Sequence, residues 1–178
     1  MNKPQKKYQI GIIGPEEINL PKNKQERIKM LDVARKVGKA AAKNNVVLIT
    51  GGCSGVVEAA CRAAYKAGGI TVGTPGRERG SSNPWVSIEI CTPIDVGDFL
   101  FAGILSCDAI IVLPGDAGTL AELAIAYRYK KPLIFIKGFG ENILSSLKLK
   151  GRKSFPCYVV KTAEEAVKKT LQLLNNPV

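Results

Sequence analysis

Leu113-Pro114-Gly115-Asp116-Ala117-Gly118-Thr119-Leu120-Ala121-Glu122 is the stretch that decides how this chain folds. Just before it, Asp108-Ala109-Ile110-Ile111-Val112-Leu113 is short, apolar and β-branched, which predicts a strand buried on both faces. Just after it, Leu120, Leu123, Ala124 and Tyr127 recur at helical spacing. A strand therefore ends, a glycine-bearing loop turns the chain, and a helix begins. Gly115 and Gly118 let the backbone turn tightly and let a ligand approach it, and a helix start offers unpaired N–H groups and partial positive charge. Phosphate sites are built this way. The same residues also suit an ordinary turn in which Thr119-x-x-Glu122 is a capping box.

Working outward, the same pattern repeats. Tyr8 to Gly14 predicts a first strand, ended by Gly14-Pro15. Lys24 to Asn44 predicts a helix with Ile28, Leu31, Ala34, Val37, Ala40 and Ala41 on its apolar face. Val46–Thr50 predicts a second strand, followed by Gly51-Gly52-Cys53-Ser54-Gly55 and a helix through Val57, Ala60, Cys61 and Ala64 that Gly68-Gly69 ends. Residues 70–73 predict a third strand, 74–84 a loop, 85–90 a fourth strand and 96–106 a short helix, apolar nearly all round. Beyond the central stretch come a strand over 133–136, a helix over 141–148, a linker over 151–156 and a strand over 157–160. A last helix follows, capped by Thr162-x-x-Glu165. That second box has the spacing of Thr119-x-x-Glu122 without a glycine-rich loop, so spacing alone assigns Glu122 no role.

Strands alternating with helices predict an α/β fold with a mainly parallel sheet, and 178 residues suit one domain over 1–178. In such sheets ligands bind beyond the C-terminal strand ends. The loops after strands one, two, three and five all carry glycine or Gly-Pro. The expected phosphate-contacting positions are Gly14, Gly51, Gly52, Ser54, Gly55, Pro114, Gly115, Gly118 and Thr119. Neither a Walker A sequence nor G-x-G-x-x-G is present.

Composition narrows the classes further. No apolar run reaches membrane-spanning length and the charged N-terminus has no apolar core, so a cytoplasmic protein is expected. The five cysteines include no C-x-x-C, and there is no histidine, so no protein-bound metal is expected. The net charge of +11 suits anionic partners. The cations are scattered and no aromatic platform is interleaved with them in sequence, so nucleic acid is an unfavoured partner.

Gly51 to Ala60, Gly68-Gly69 and Pro114-Gly115-Asp116-Ala117-Gly118-Thr119-Leu120-Ala121-Glu122 resemble the LOG-like Rossmann family, often labelled lysine decarboxylase-like. Ser82-Asn83-Pro84-Trp85-Val86-Ser87 and the chain length are similar to its small branch that contains molybdenum cofactor carrier proteins. The resemblance implies a doubly wound, Rossmann-like sheet with helices on both faces. It implies a nucleotide or molybdopterin-type cofactor as ligand, and for Glu122 the role of the motif glutamate, which in the enzymes acts at the ribose. Two departures stand out. Asp116 replaces the usual glycine, and Phe99 stands where the enzymes carry arginine.

The expected function is therefore binding of a phosphate-bearing small molecule. The alternatives are a nucleoside 5′-monophosphate phosphoribohydrolase with Glu122 as its catalytic carboxylate, and weak nucleic-acid binding. Cys53, near a helix start, is expected to have a lowered thiol pKa if it is more than a space-filler. Arg77 and Arg79 are candidates to clamp a phosphate or to solvate the surface. A helix at 96–106 without a polar face, in a region where the resemblance implies association, predicts a homo-oligomer, dimer or tetramer.

Overall fold

The computed structural model describes residues 6–92, 99–141, 143 and 156–175. Seven strands form one sheet: β1 (Gln9–Ile13), β2 (Val47–Thr50), β3 (Thr71–Gly76), β4 (Ile88–Cys91), β5 (Ala109–Val112), β6 (Leu133–Ile136) and β7 (Cys157–Val160). Their order is β4-β3-β2-β1-β5-β6-β7, and each neighbouring pair is parallel. The order reverses between β1 and β5, as in a doubly wound Rossmann-like sheet.

Strand side chains alternate between two cores, as the period of two requires. Ile10, Ile12, Leu48, Ile111, Leu113, Ile134 and Ile136 point to one core. There they meet α1 (Lys24–Lys43), α2 (Val56–Lys66) and α5 (Ala163–Asn175). Ile13, Ile49, Ile110, Val112, Leu133 and Phe135 point to the other. That face is covered by α4 (Ala117–Arg128) and by a π-helical turn, Phe99–Gly103, that runs into the short α3 (Ile104–Ser106). Both faces are thus covered, which is why the central strands read as continuous apolar runs.

The helices begin and end where their local chemistry dictates. The Asn23 side chain caps α1, accepting from the N–H groups of Gln25 (2.9 Å) and Glu26 (3.2 Å). Gly68, at φ 76°, closes α2. Its N–H bonds the Tyr65 carbonyl and that of Gly69 bonds Ala64, a Schellman end. α1 and α2 pack through small residues. A Cβ on Gly38 would lie 2.1 Å from the Ala60 carbonyl oxygen.

Several expectations need correction. β3 continues through Thr74-Pro75-Gly76 instead of ending at Gly73. Its register against β4 shifts between Gly73 and Gly76, and that irregularity accommodates Pro75, which has no N–H to give. β4 starts at Ile88, because Trp85–Ser87 form the turn that Thr71 Oγ1 ties by donating to the Trp85 carbonyl (2.7 Å). On α1, Ile28 is exposed and Met30 is buried. On α4, the inward stripe is Thr119, Glu122, Leu123 and Ala126, so Leu120 and Ala124 face outward. The helix expected over 96–106 is described only from Phe99 on, as the π turn and α3, and Phe101 and Leu105 remain exposed. The helix and linker expected over 141–156 lie outside the described residues except for 141, 143 and 156. Among the described residues, no helix is long and apolar enough to cross a membrane.

The Gly38 contact yields a test. On propensity alone Gly38→Ala would stabilise α1 by about 1 kcal/mol. The clash with the Ala60 carbonyl should instead make it destabilising, by about 1–3 kcal/mol in urea denaturation. A stabilised variant would contradict the helix contact.

Candidate functional site

The site lies where the order of the sheet reverses. The loops after β1, β2 and β5 meet there around a cleft of about 90 Å³ at the C-terminal strand ends. Of the positions singled out in the sequence, Gly14, Gly51, Gly118, Thr119 and Glu122 line it, together with Glu16, Cys53, Val57 and Asp116. Gly52, Ser54, Gly55, Pro114 and Gly115 surround the cleft without lining it. The Gly52 N–H donates to Thr50 Oγ1 (3.0 Å), and Ser54 Oγ accepts from the Glu17 N–H (3.2 Å).

Two of these glycines serve close packing rather than ligand approach. Gly55 has φ 73°, and a Cβ there would stand 2.5 Å from the Pro15 carbonyl oxygen. A Cβ on Gly115 would stand 2.2 Å from Thr119 Oγ1 and 3.0 Å from the Pro15 nitrogen. The loop after β1 is thereby drawn against the starts of α2 and α4.

The two helix starts differ. α4 is capped by Asp116, whose Oδ1 accepts from the N–H groups of Gly118 (3.0 Å) and Thr119 (3.4 Å). Its Oδ2 accepts from Asn19 Nδ2. The carboxylate that replaces the usual glycine thus takes two of the N–H groups expected to face a phosphate. Thr119 lies inside the helix, so Thr119-x-x-Glu122 is not a capping box. At α5 the box does form. Thr162 Oγ1 accepts from the Glu165 N–H (3.1 Å) and Glu165 Oε2 from the Lys161 N–H (2.8 Å). α2, by contrast, has no side-chain cap, because Gly55 stands at its N-cap. Its Val56 N–H bonds the Pro15 carbonyl (3.1 Å), and Val57 in its first turn reaches the cleft.

The electrostatics are those of a small acidic site in a basic chain. No lysine or arginine among the described residues lines the cleft. Arg77 and Arg79 are exposed on the loop after β3 and do not reach it. Glu122 is only 9% exposed and makes no hydrogen bond among the described residues. Burial, and then the Asp116 and Glu16 carboxylates, push its pKa up to about 8. At neutral pH it is therefore a carboxylic acid, able to donate as well as accept. It also borders a void of about 10 Å³ beneath the cleft, next to Thr50 and Cys107, about the space of one water. Cys53 corrects an expectation. Burial and the Glu16 carboxylate push its thiol up to about 12, so it is an inert neutral group, and the nearby helix start does not lower it. Phe99 lies in the π turn, and its side chain is outside the described residues.

Of the residues singled out in the sequence, Gly14, Gly51, Gly118, Thr119 and Glu122 come together at one sheet edge. Sequence reasoning missed Glu16 and Val57, which carry no motif and enter the cleft only because the Pro15 loop folds against α2. Asp116 was visible as a departure, and its position just before the helix was the signal of a cap.

The sequence pattern of the SLOG cluster4 family matches residues 7–167. An uncharacterized protein of Archaeoglobus fulgidus is 35% identical over 133 residues, 74% of this chain and 82% of its own. The molybdenum cofactor carrier protein of Chlamydomonas reinhardtii superposes with a TM-score of 0.79 at 28% identity, covering 96% of this chain and 100% of that one. The molybdenum cofactor binding protein of the phototrophic bacterium Rippkaea orientalis has a TM-score of 0.79 at 26% identity, covering 96% and 99%.

Glu122 makes stability depend on pH. The folded chain keeps its proton up to about pH 8, whereas an unperturbed glutamate releases it near 4.5. Between those values the folded state binds more protons than the unfolded one, so this group's contribution falls as pH rises and levels off above about 8. Glu122→Gln cannot ionise. Its stability relative to the wild type should rise from about pH 5 to about pH 8 in urea titrations, and parallel pH profiles for the two proteins would contradict the protonated state.

Proposed function

The chain belongs to the SLOG cluster4 family, and from that premise we propose that it is a binding protein for a phosphate-bearing small molecule. The ligand is a nucleotide or a molybdopterin-type cofactor, held in the switch-point cleft. The observation that carries this reading is Glu122, a buried carboxyl in the wall of the cleft with no hydrogen-bond partner among the described residues. The Glu122 oxygens stay accessible from the cleft, where a ligand can pair with them. A protonated carboxyl can both donate to and accept from the edge of a nucleobase or pterin ring. The phosphate belongs at the start of α2, where no side chain occupies the helix end. The start of α4 is the poorer candidate, because Asp116 already fills it. Two structural relatives named for carrying or binding molybdenum cofactor favour the pterin ligand.

The phosphoribohydrolase reading requires Glu122 to be ionised, since only a carboxylate stabilises positive charge developing on the sugar. Its raised pKa weighs against that at neutral pH. Adenine release from AMP should stay near background at about pH 7; brisk release abolished by Glu122→Gln would reverse the assignment.

Calorimetry with AMP and with molybdopterin tests binding directly. Cys53 lines the cleft, so Cys53→Asp should weaken the bound ligand at least about tenfold by repelling its phosphate, while Cys53→Ser stays within about threefold. Equal affinities for the two folded variants would remove the phosphate from this cleft.

The same family reading includes self-association. Phe101 (48% exposed), Leu105 (38%) and Leu120 (44%) lie on neighbouring helices of the α3–α4 face. Their exposure fits a homo-oligomer joined through that face. Light scattering should give at least a dimer at micromolar concentration and a monomer for Phe101→Glu/Leu120→Glu. A wild-type monomer would contradict it.

A further inference from the structure

Toward the C-terminal end of α2, two cations share one aromatic ring. The Arg62 guanidinium carbon lies 5.2 Å from the Trp85 ring centre and Lys66 Nζ lies 5.6 Å from it. The Tyr65 ring meets the same indole at 5.9 Å with an interplanar angle of 60°. The ring is fixed in place. The Trp85 backbone N–H donates to Asn83 Oδ1 (3.1 Å), its backbone carbonyl accepts from Thr71, and its side chain packs in part on the α1–α2 core. Arg62 and Lys66 are exposed, and so is Tyr65.

Placing like charges one helical turn apart is unfavourable by itself. Neither cation is neutralised by an ion pair among the described residues. Glu58, one turn before Arg62, shares a groove with it but forms no ion pair, and Glu17 in that groove is paired with Arg27. Across the groove, Arg35 adds a third exposed cation. A guanidinium lying on a ring keeps its in-plane N–H donors for an outside anion. The patch therefore combines fixed, unneutralised positive charge with aromatic surface, and the chain's charge of +11 adds long-range attraction for a polyanion.

We propose that this patch binds single-stranded nucleic acid without sequence preference. Arg62 and Lys66 take backbone phosphates, and the exposed Tyr65 ring, backed by Trp85, stacks an unpaired base. A duplex hides its base faces and an acidic protein has none, so the aromatic component favours a single strand over either. The site is independent of the cleft and of its ligand.

Trp85 is the chain's only tryptophan, so its emission reports on the patch. A labelled oligothymidylate of about twenty nucleotides should bind in the non-specific range, about 10⁻⁴–10⁻⁶ M at physiological salt, and change Trp85 emission. Arg62→Glu/Lys66→Glu should weaken it more than about tenfold, and the slope of log affinity against log salt should fall by about 1.4, near 0.7 per lost phosphate contact. Tyr65→Ala should weaken it several-fold with the salt slope unchanged. Unchanged affinity in the double variant overturns the proposal. So does binding of heparin or duplex DNA as tight as that of the single strand with no change in Trp85 emission, because charge alone would then account for it.

Discussion

The loop after β1 is the constraint on which the site depends. The Pro15 carbonyl accepts the first N–H of α2 at 3.1 Å, and the Pro15 nitrogen lies within 3.0 Å of the Cβ position of Gly115, ahead of α4. Both approaches need glycine on the far side, at Gly55 and Gly115, because any side chain would occupy the space that the loop fills. Next along this loop, the Glu17 N–H binds Ser54 and the Asn19 amide binds Asp116, so two helices from opposite faces of the sheet are tied to one segment. The cleft is the space left between them, and its shape follows from backbone contacts rather than from bulky side chains.

Charge is distributed against the average of the molecule. The chain carries +11, yet Glu16, Asp116 and Glu122 line the cleft and no cation among the described residues joins them. Burial, with the Asp116 and Glu16 carboxylates nearby, raises the proton affinity of Glu122, which keeps its proton at neutral pH. Asp116 stays compatible with this arrangement because its oxygens are satisfied by two N–H groups and the Asn19 amide. A ligand in this cleft meets the Glu16 and Asp116 carboxylates and a neutral acid, while exposed cations such as Arg62 and Lys66 lie on outer helix surfaces.

Glycine thus has two meanings in this chain. At Gly38 its absent side chain lets α1 and α2 touch backbone to backbone, which sets the packing of one face. At Gly55 it lets the Pro15–Glu17 backbone lie against the start of α2, whose Val56 N–H bonds the Pro15 carbonyl. The first use joins two helices and the second joins a loop to a helix start; nothing in the local sequence separates them.

The sequence by itself determined the alternation of strands and helices, the parallel sheet, and the loops that meet at its C-terminal edge. Those features rest on local periodicity and on glycine positions, which act over a few residues. It also determined that Thr162-x-x-Glu165 is a cap, since that box closes within its own turn. Tertiary structure decided what local patterns left open. Asp116 rather than Thr119 caps α4, so Glu122 turns inward with Leu123 and Ala126 while Leu120, the more apolar residue, faces out. The Cys53 thiol is raised rather than lowered, because burial and a carboxylate from a distant loop outweigh a nearby helix start. Trp85 joins Arg62, Tyr65 and Lys66 only when the turn before β4 folds against α2. In each case the deciding neighbour is remote in sequence, and burial and charge are summed over neighbours in space.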